Sequence, residues 1–360
     1  MKKNNKIHIT HIIPTLNFGG AERFVVDIVN NSDTKKFKYS IILLADAMPM
    51  AKEINNKNIE ITVVKKRGKI SLHLIKDIKK ELQKIQPNIV HTHLSGGDIW
   101  GRIAAKKLGI KVVTTEHNVN NELGWVKNSI KRLIQNKTDV YVACSKAVKQ
   151  DVLKRYDIQK KIEVIHYGIE LERFKSIKPI RPKHPTKLLM LGRLTKQKGH
   201  EIALKALSGI DKKMWKLDIV GNGPLEKKLK NIVTKLDLQK NIKFYPPTYD
   251  VPGVFANHHI MLMPSLWEGL GIVVMEALIS GRVVIGSNIG GIPELIKNNK
   301  TGYLVLPNNI ELLKKQITFC LENINEIEKI GNQAREYAVQ NFGIKIMVKK
   351  YENIYKFLVK

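Results

Sequence analysis

Cysteine is nearly absent: Cys144 and Cys320 are the two in 360 residues. Neither has a metal-ligand spacing, both sit in apolar stretches, and both read as small core residues of a protein from a reducing, cytoplasmic compartment. Acid is scarce as well. Thirty-two Asp and Glu against 62 Lys and Arg leave a net charge of +30, which biases the surface toward anions. Nucleic acid, acidic lipid and phosphorylated small molecules are the candidates. A solvated Lys-rich surface is the plainer alternative, because the lysines are spread over helix faces. Aromatics make up 6% of the chain, and the aromatic-interleaved basic motifs of a nucleic-acid reader are missing, so no nucleic-acid partner is expected. Long apolar runs are missing too. None reaches the roughly 18 uncharged residues of a membrane span. The most apolar region, 260–285, is broken by Glu268, Glu276 and Arg282. The basic start, Met1 to Lys6, leads into a run broken by His8 and His11, so no signal peptide is expected.

What is present is alternation. Ile7–Leu16, Tyr39–Ala45, Ile59–Val64, Ile89–His93, Lys111–Thr115, Val140–Ala143 and Ile162–His166 read as strands. Ala21–Asn30 and Leu72–Ile85 read as helices, the latter with Leu72, Ile75, Ile78, Leu82 and Ile85 on one face. The pattern pauses at 176–187, where Pro179, Pro182 and Pro185 stand among basic residues, a linker signature. It restarts with strands at Leu188–Leu191, Leu217–Val220, Ile242–Tyr245, Ile260–Met263, Val283–Ile285 and Tyr303–Val305 and closes on three helical patterns, the last Ile344–Leu358. The fold class is α/β with parallel sheets covered on both faces. The expected domains are 1–175, 188–343 and a linker 176–187, with strand carboxyl ends turned toward a shared cleft.

The first strand leads into Asn17-Phe18-Gly19-Gly20 and a helix start. A Gly-Gly turn lets a ligand approach the backbone, and a helix N-terminus attracts an anion; a structural turn is the equal alternative. Thr114-Thr115-Glu116-His117-Asn118 ends another strand. His117 is a candidate site residue there, against the alternative of a satisfied structural histidine, and His91 and His93 compete for the role. In the second half, Arg193 and Lys198 leave one strand end and bracket a loop into a helix, an arrangement suited to a diphosphate. Val220-Gly221-Asn222-Gly223-Pro224 is a tight strand-to-helix turn. Glu268 lies in a Gly-rich turn and Glu276 in the apolar helix behind it, with seven residues between them. A carboxylate on a buried helix needs a partner or a ligand. Were the segment helical throughout, the two acids would stand ~12 Å apart along its axis, the span of a sugar nucleotide from ribose to sugar. The amides of Gly269, Leu270 and Gly271 would lie between them. The alternative pairs Glu276 with a core arginine and makes Glu268 a cap. Ser287 to Glu294, with Gly290 and Gly291, repeats the strand, glycine turn and helix start.

Taken in order, these motifs resemble the retaining glycosyltransferases of the GT-B fold, specifically glycosyltransferase family four with its E-x7-E signature. The resemblance covers essentially the whole chain and is denser in the second half. It rests on Glu268 and Glu276 together with Phe18-Gly19-Gly20-Ala21-Glu22, Gly192-Arg193-Leu194 with Lys198-Gly199-His200, Val220-Gly221-Asn222-Gly223 and Gly290-Gly291-Ile292-Pro293-Glu294. It implies two Rossmann-like domains facing across a cleft, with the helix 344–360 returning to the first. Arg193 and Lys198 would hold the donor diphosphate, Glu276 the ribose, and Glu268 the donor sugar with the amides of Gly269 to Gly271. Gly20 would bring backbone to the diphosphate, and His117 would stand near the transferred sugar. The chain departs from the pattern at His166-Tyr167-Gly168, where Asn-Gly is usual after a strand. A second departure, Tyr245-Pro246-Pro247, leaves the base open between uridine and guanosine.

The expected activity is therefore metal-independent, retaining transfer of a hexose from a nucleotide-diphosphate sugar to a glycan or lipid-linked acceptor in surface-polysaccharide or glycolipid synthesis. No cofactor and no metal are expected. A sugar-nucleotide epimerase on the same fold and a basic nucleic-acid-binding protein are the competing readings. The basic stretches Lys65–Lys69, Lys76–Lys84 and Trp125–Lys137 suit an anionic membrane surface, which adds the inner face of the cell membrane to a cytoplasmic location.

Overall fold

The computed structural model describes residues 6–65, 73–119, 124–156, 158–178, 181 and 183–360. Lys66 to Lys69, Leu72, Pro179 and Pro182 lie outside the described residues. The chain divides into two compact units, one of residues 1–168 with 344–360 and one of residues 169–343.

In the first unit the described strands are β1 (Ile7–Ile13), β2 (Phe37–Leu43), β3 (Glu60–Val63), β4 (Ile89–His93), β5 (Lys111–Glu116), β6 (Val140–Ala143) and β7 (Ile162–Val164). They form one parallel sheet in the order β3-β2-β1-β4-β5-β6-β7. Ile9, Ile12, Ile41, Ile42, Val90, Val112 and Val113 are fully buried, as strands covered by helices on both faces require. The helix Ile344–Val359 belongs to this unit: Tyr355 and Tyr351 reach His91 and Thr115, and Glu352 accepts from the Asp33 amide at 2.9 Å.

In the second unit β8 (Thr186–Leu191), β9 (Trp215–Val220), β10 (Ile242–Tyr245), β11 (Ile260–Met263), β12 (Val283–Ser287) and β13 (Tyr303–Val305) form a parallel sheet in the order β10-β9-β8-β11-β12-β13. Trp215, Leu217, Ile219, Leu188 and Ile285 centre its core. Both orders are Rossmann-like. In each, the first strand is flanked by its second and fourth, so the chain reverses direction between β1 and β4 and between β8 and β11. Open α/β sheets bind ligands outside the strand carboxyl ends at that reversal.

The division falls at Gly168, ahead of the expected residue 175, and the described part of 176–187 is no free linker. Arg335 takes the Ile177 carbonyl, and buried Arg282 takes those of Phe255 at 2.8 Å and Lys178 at 3.1 Å. These bonds tie the segment to the second unit. Prolines mark a break in periodicity, but two arginines distant in sequence decide what the break packs against.

Candidate active site

At the β8/β11 reversal the loops are stitched backbone to backbone. Gln197, which follows β8 and is 6% exposed, donates from Nε2 to the Trp267 carbonyl at 3.1 Å, and its own carbonyl accepts from the Leu266 amide at 2.8 Å. Gly199 has φ +66°, and a Cβ there would collide with the Pro264 carbonyl. Gly290, with φ +57°, stands just as close to the carbonyl of Glu268. Glycine alone fits these two positions, because each needs both a left-handed backbone and no side chain.

The result is a fixed charge pair. Lys198 Nζ lies 2.6 Å from Glu268 Oε2, and the two side chains are 15% and 10% exposed. Arg193 is exposed and has no carboxylate partner among the described residues. Glu268 Oε1 accepts from the Gly269 amide at 3.3 Å. The amides of Leu270, Gly271 and Ile272 have no acceptor among the described residues, the state of a helix N-terminus that awaits an anion. The helix itself is Ile272–Ile279. Glu268 therefore precedes it, and the ~12 Å axial separation of a continuous helix does not describe this turn. Glu276 lies inside the helix, 5% exposed. The described partners of Arg282 are the two carbonyls already named. Lys198, Glu268 and Gly269 thus meet at this reversal, with Arg193 in the loop after β8 and Glu276 one turn into the helix behind.

Across the β1/β4 reversal of the first unit the strand ends carry histidines. Fully buried His11 (β1) and His93 (β4) meet through Nδ1 and Nε2 at 2.9 Å. His93 Nδ1 then meets Nε2 of His117, just beyond β5, at 2.9 Å, and His117 Nδ1 meets the Tyr167 hydroxyl at 2.6 Å. His91 is held by Tyr355 at 2.7 Å and Thr115 Oγ1 at 2.7 Å. Burial, the largest cause, lowers every one of these rings. His11 and His117 fall to about 3, and His91 and His93 fall well below the free value. For His117, Asp98 opposes the shift and Lys131 adds to it. Both ring nitrogens of His117 are engaged inside the unit. Tyr167, the departure from the family pattern noted above, is one of its partners.

Gly19 and Gly20 do open the helix Gly20–Asn31. A Cβ on Gly19 would strike the Glu22 carboxylate, so an internal acid already serves that helix end. Beside His117, Glu116 accepts from Lys131 at 2.6 Å, Lys131 also pairs with Asp98 at 2.9 Å, and Asp98 binds Arg102. Lys131 is 2% exposed. Its expected place on a basic outer surface is overturned: two carboxylates repay its desolvation. Sequence reasoning gave no role to Gln197, His11, Tyr167 or this ion network. The one available signal was the Tyr167 departure.

His11, His91 and His93 also bring one ring nitrogen each within 4.8 Å of one another. Five of their six ring nitrogens are hydrogen-bonded as described; His11 Nε2 has no partner among the described residues.

Residues 172–337 match the family described as Glycosyl transferases group 1, and residues 18–173 match Glycosyltransferase Family 4. The chain is 30% identical over 321 residues to the UDP-Gal:alpha-D-GlcNAc-diphosphoundecaprenol alpha-1,3-galactosyltransferase of Escherichia coli, covering 79% of this chain and 81% of that protein. Among solved structures, a glycosyltransferase from Rickettsia africae shares 28% identity with a TM-score of 0.83 over 99% of each chain. HepE from Anabaena, in complex with UDP and glucose, superposes with a TM-score of 0.86 at 19% identity, covering 97% of this chain and 99% of that one, a likeness of fold. Two Rossmann-like sheets and these matches together make the conclusion plain: the chain belongs to the glycosyltransferases of the GT-B fold.

Proposed function

We propose that the chain moves a hexose from a nucleotide-diphosphate sugar to a glycan or lipid-linked acceptor, with retention of anomeric configuration, in the assembly of cell-surface polysaccharide. The observation that carries this reading is the Lys198–Glu268 pair beside the amides of Leu270, Gly271 and Ile272, which have no acceptor among the described residues, at the β8/β11 reversal. The names of relatives support its direction: a UDP-Gal:alpha-D-GlcNAc-diphosphoundecaprenol alpha-1,3-galactosyltransferase and a glycosyltransferase named for colanic acid biosynthesis, both of Escherichia coli. As the anomeric carbon–oxygen bond breaks, its electron pair goes to the phosphate. Arg193, Lys198 and the amides of Leu270 to Ile272 meet that charge as it develops. The acceptor oxygen bonds the anomeric carbon on the same face, and its proton passes to the departing phosphate oxygen. A diphosphate also competes with Glu268 for Lys198, which frees the carboxylate to accept from hydroxyls of the donor sugar. Glu276 would bind the ribose. Charge on the leaving group is met by side chains and amides, so this reading includes no metal and no resident cofactor.

The test is thermal stability with UDP, GDP, ADP and their sugars. One nucleotide at about 100 times its Kd adds about 2.7 kcal/mol to the folded state, read as a Tm increase that Arg193→Ala diminishes. If none of the three diphosphates raises Tm, the reading fails.

The same proposal extends to the membrane. Among the described residues no helix is long and apolar enough to cross one. The helix Trp125–Leu133 exposes Trp125 (81%), Val126 and Leu133 (83%) beside exposed Lys127 and Arg132. An apolar ridge with flanking cations suits the headgroup region of an anionic bilayer. Sedimentation with phosphatidylserine vesicles at low salt should fall severalfold for Trp125→Ala with Leu133→Ser. Equal sedimentation of the wild type with neutral vesicles would count against the proposal.

A further inference from the structure

The histidines of the first unit make a chain with an end at each side. One end is His11 Nε2, buried and without a partner among the described residues. The other is the Tyr167 hydroxyl, which meets His117 Nδ1 and also the Cys144 thiol. Three neutral imidazoles joined nitrogen to nitrogen carry one proton each. Every link needs one donor and one acceptor, so the whole chain points one way or the other.

If Tyr167 donates to His117, each ring carries its proton on Nε2, and His11 leaves a buried N–H with no acceptor. If the rings carry their protons on Nδ1, His11 donates to His93, His93 to His117 and His117 to Tyr167. The tyrosine proton then goes to the Cys144 sulfur, and the thiol donates to the His117 carbonyl, 3.4 Å away. The only orphan is then a bare lone pair on His11. Orphaned buried donors are rarer in proteins than under-satisfied acceptors, so the second direction prevails. A metal ion among His11, His91 and His93 would use that lone pair, but it would have to displace at least two of the four bonds that His91 and His93 now make.

We propose that His11, His93 and His117 are one tautomeric unit, in which His11 and His93 are positioning residues that hold the proton of His117 on Nδ1. The functional weight of this inference rests on reading His117 as a site residue; the tautomers themselves do not. With both nitrogens committed, His117 gives the proposed transfer a fixed, neutral ring and serves as neither general acid nor base.

Long-range proton–nitrogen NMR of the full chain with labelled histidine reads each ring directly and is independent of any activity. In the wild type, His11, His93 and His117 all show protonated Nδ1 and bare Nε2. Cys144→Ala removes the acceptor for the tyrosine proton, which turns to His117 and reverses all three rings together. Tyr167→Phe leaves one orphan donor in either direction, so the three rings move together to averaged shifts. His200, His258 and His259 stay unchanged in both variants. A protonated Nε2 on any of the three wild-type rings overturns the proposal, and this spectrum decides even if both variants fail to fold. A change confined to His117 in either variant overturns it, as does a stoichiometric zinc titration that moves His11, His91 and His93.

Discussion

Lowering the pH from about 7 to about 5 unfolds the first unit, at a cost of roughly 8 kcal/mol from four histidines. His11, His91, His93 and His117 are buried and neutral, and each binds a proton far more weakly folded than unfolded. The sign follows from the depressed values. Above about 6.5, where the unfolded rings are also neutral, the stability is complete. Below it the unfolded chain takes up protons that the folded chain refuses, and each ring loses about 1.4 kcal/mol per pH unit until its own folded value is reached, near 3 for His11 and His117 and well below the free value for His91 and His93. At about pH 5 each ring has lost roughly 2 kcal/mol, and four together match the whole stability of an ordinary domain. Asp98 and Asp139, whose values are lowered, act in the same sense only below the usual carboxylate range. Melts followed by circular dichroism from about pH 7.5 to about 4.5 give the proton uptake as the slope of stability against pH, about five protons for this unit once His8, which burial lowers to about 4, is added to the four. His11→Phe, which removes one titrating ring, should lower that slope by about one proton. A Tm that stays level down to about pH 5 would mean that the rings are solvated or charged in the folded state.

How much of this was legible beforehand depends on range. The strands at Ile89–His93, Val140–Ala143, Ile242–Tyr245, Ile260–Met263 and Tyr303–Val305 fall where short apolar runs place them, because a doubly covered parallel strand must be apolar on both faces. The meeting of Lys198 with Glu268 follows from the same placement. Arg193, Lys198 and Glu268 all sit in loops after such strands, and strand ends at a reversal are where side chains meet. Lys131 was read as surface charge because its own helix is basic and exposed around it. Its burial is set by Asp98 and Glu116 on two other elements, and no local pattern reports a partner there. His11 looked like an interruption of an apolar run. It is instead bonded to His93, 82 residues later, and only the β1–β4 pairing brings them together. Gln197, between two lysines, carries no periodic signal; its clasp on Trp267 exists because two loops converge.

The two cations of the second unit separate function from folding. Arg193 is exposed and unpaired among the described residues, so Arg193→Ala should change stability by no more than about 0.5 kcal/mol. If Arg193 meets the charge that develops on the leaving phosphate, its loss should lower kcat by about 10²- to 10³-fold, the usual effect of deleting one preorganised donor. Lys198 differs, because Glu268 is nearly buried against it at 2.6 Å. Lys198→Ala strands that carboxylate, so about 3 kcal/mol of stability should go with the activity. Adding Glu268→Gln removes the stranded charge and should restore much of the lost stability, while activity stays low because both site groups are then gone. Sugar-nucleotide turnover and urea melts on the three variants read the two quantities independently. Full kcat in Arg193→Ala removes that residue from the mechanism. A Lys198→Ala variant as stable as wild type would mean that Glu268 finds solvent or another partner, and that the pair does not hold the turn. The double variant guards against the trivial outcome: if it regains stability and still fails to turn over, the loss belongs to the chemistry of the site and not to its folding.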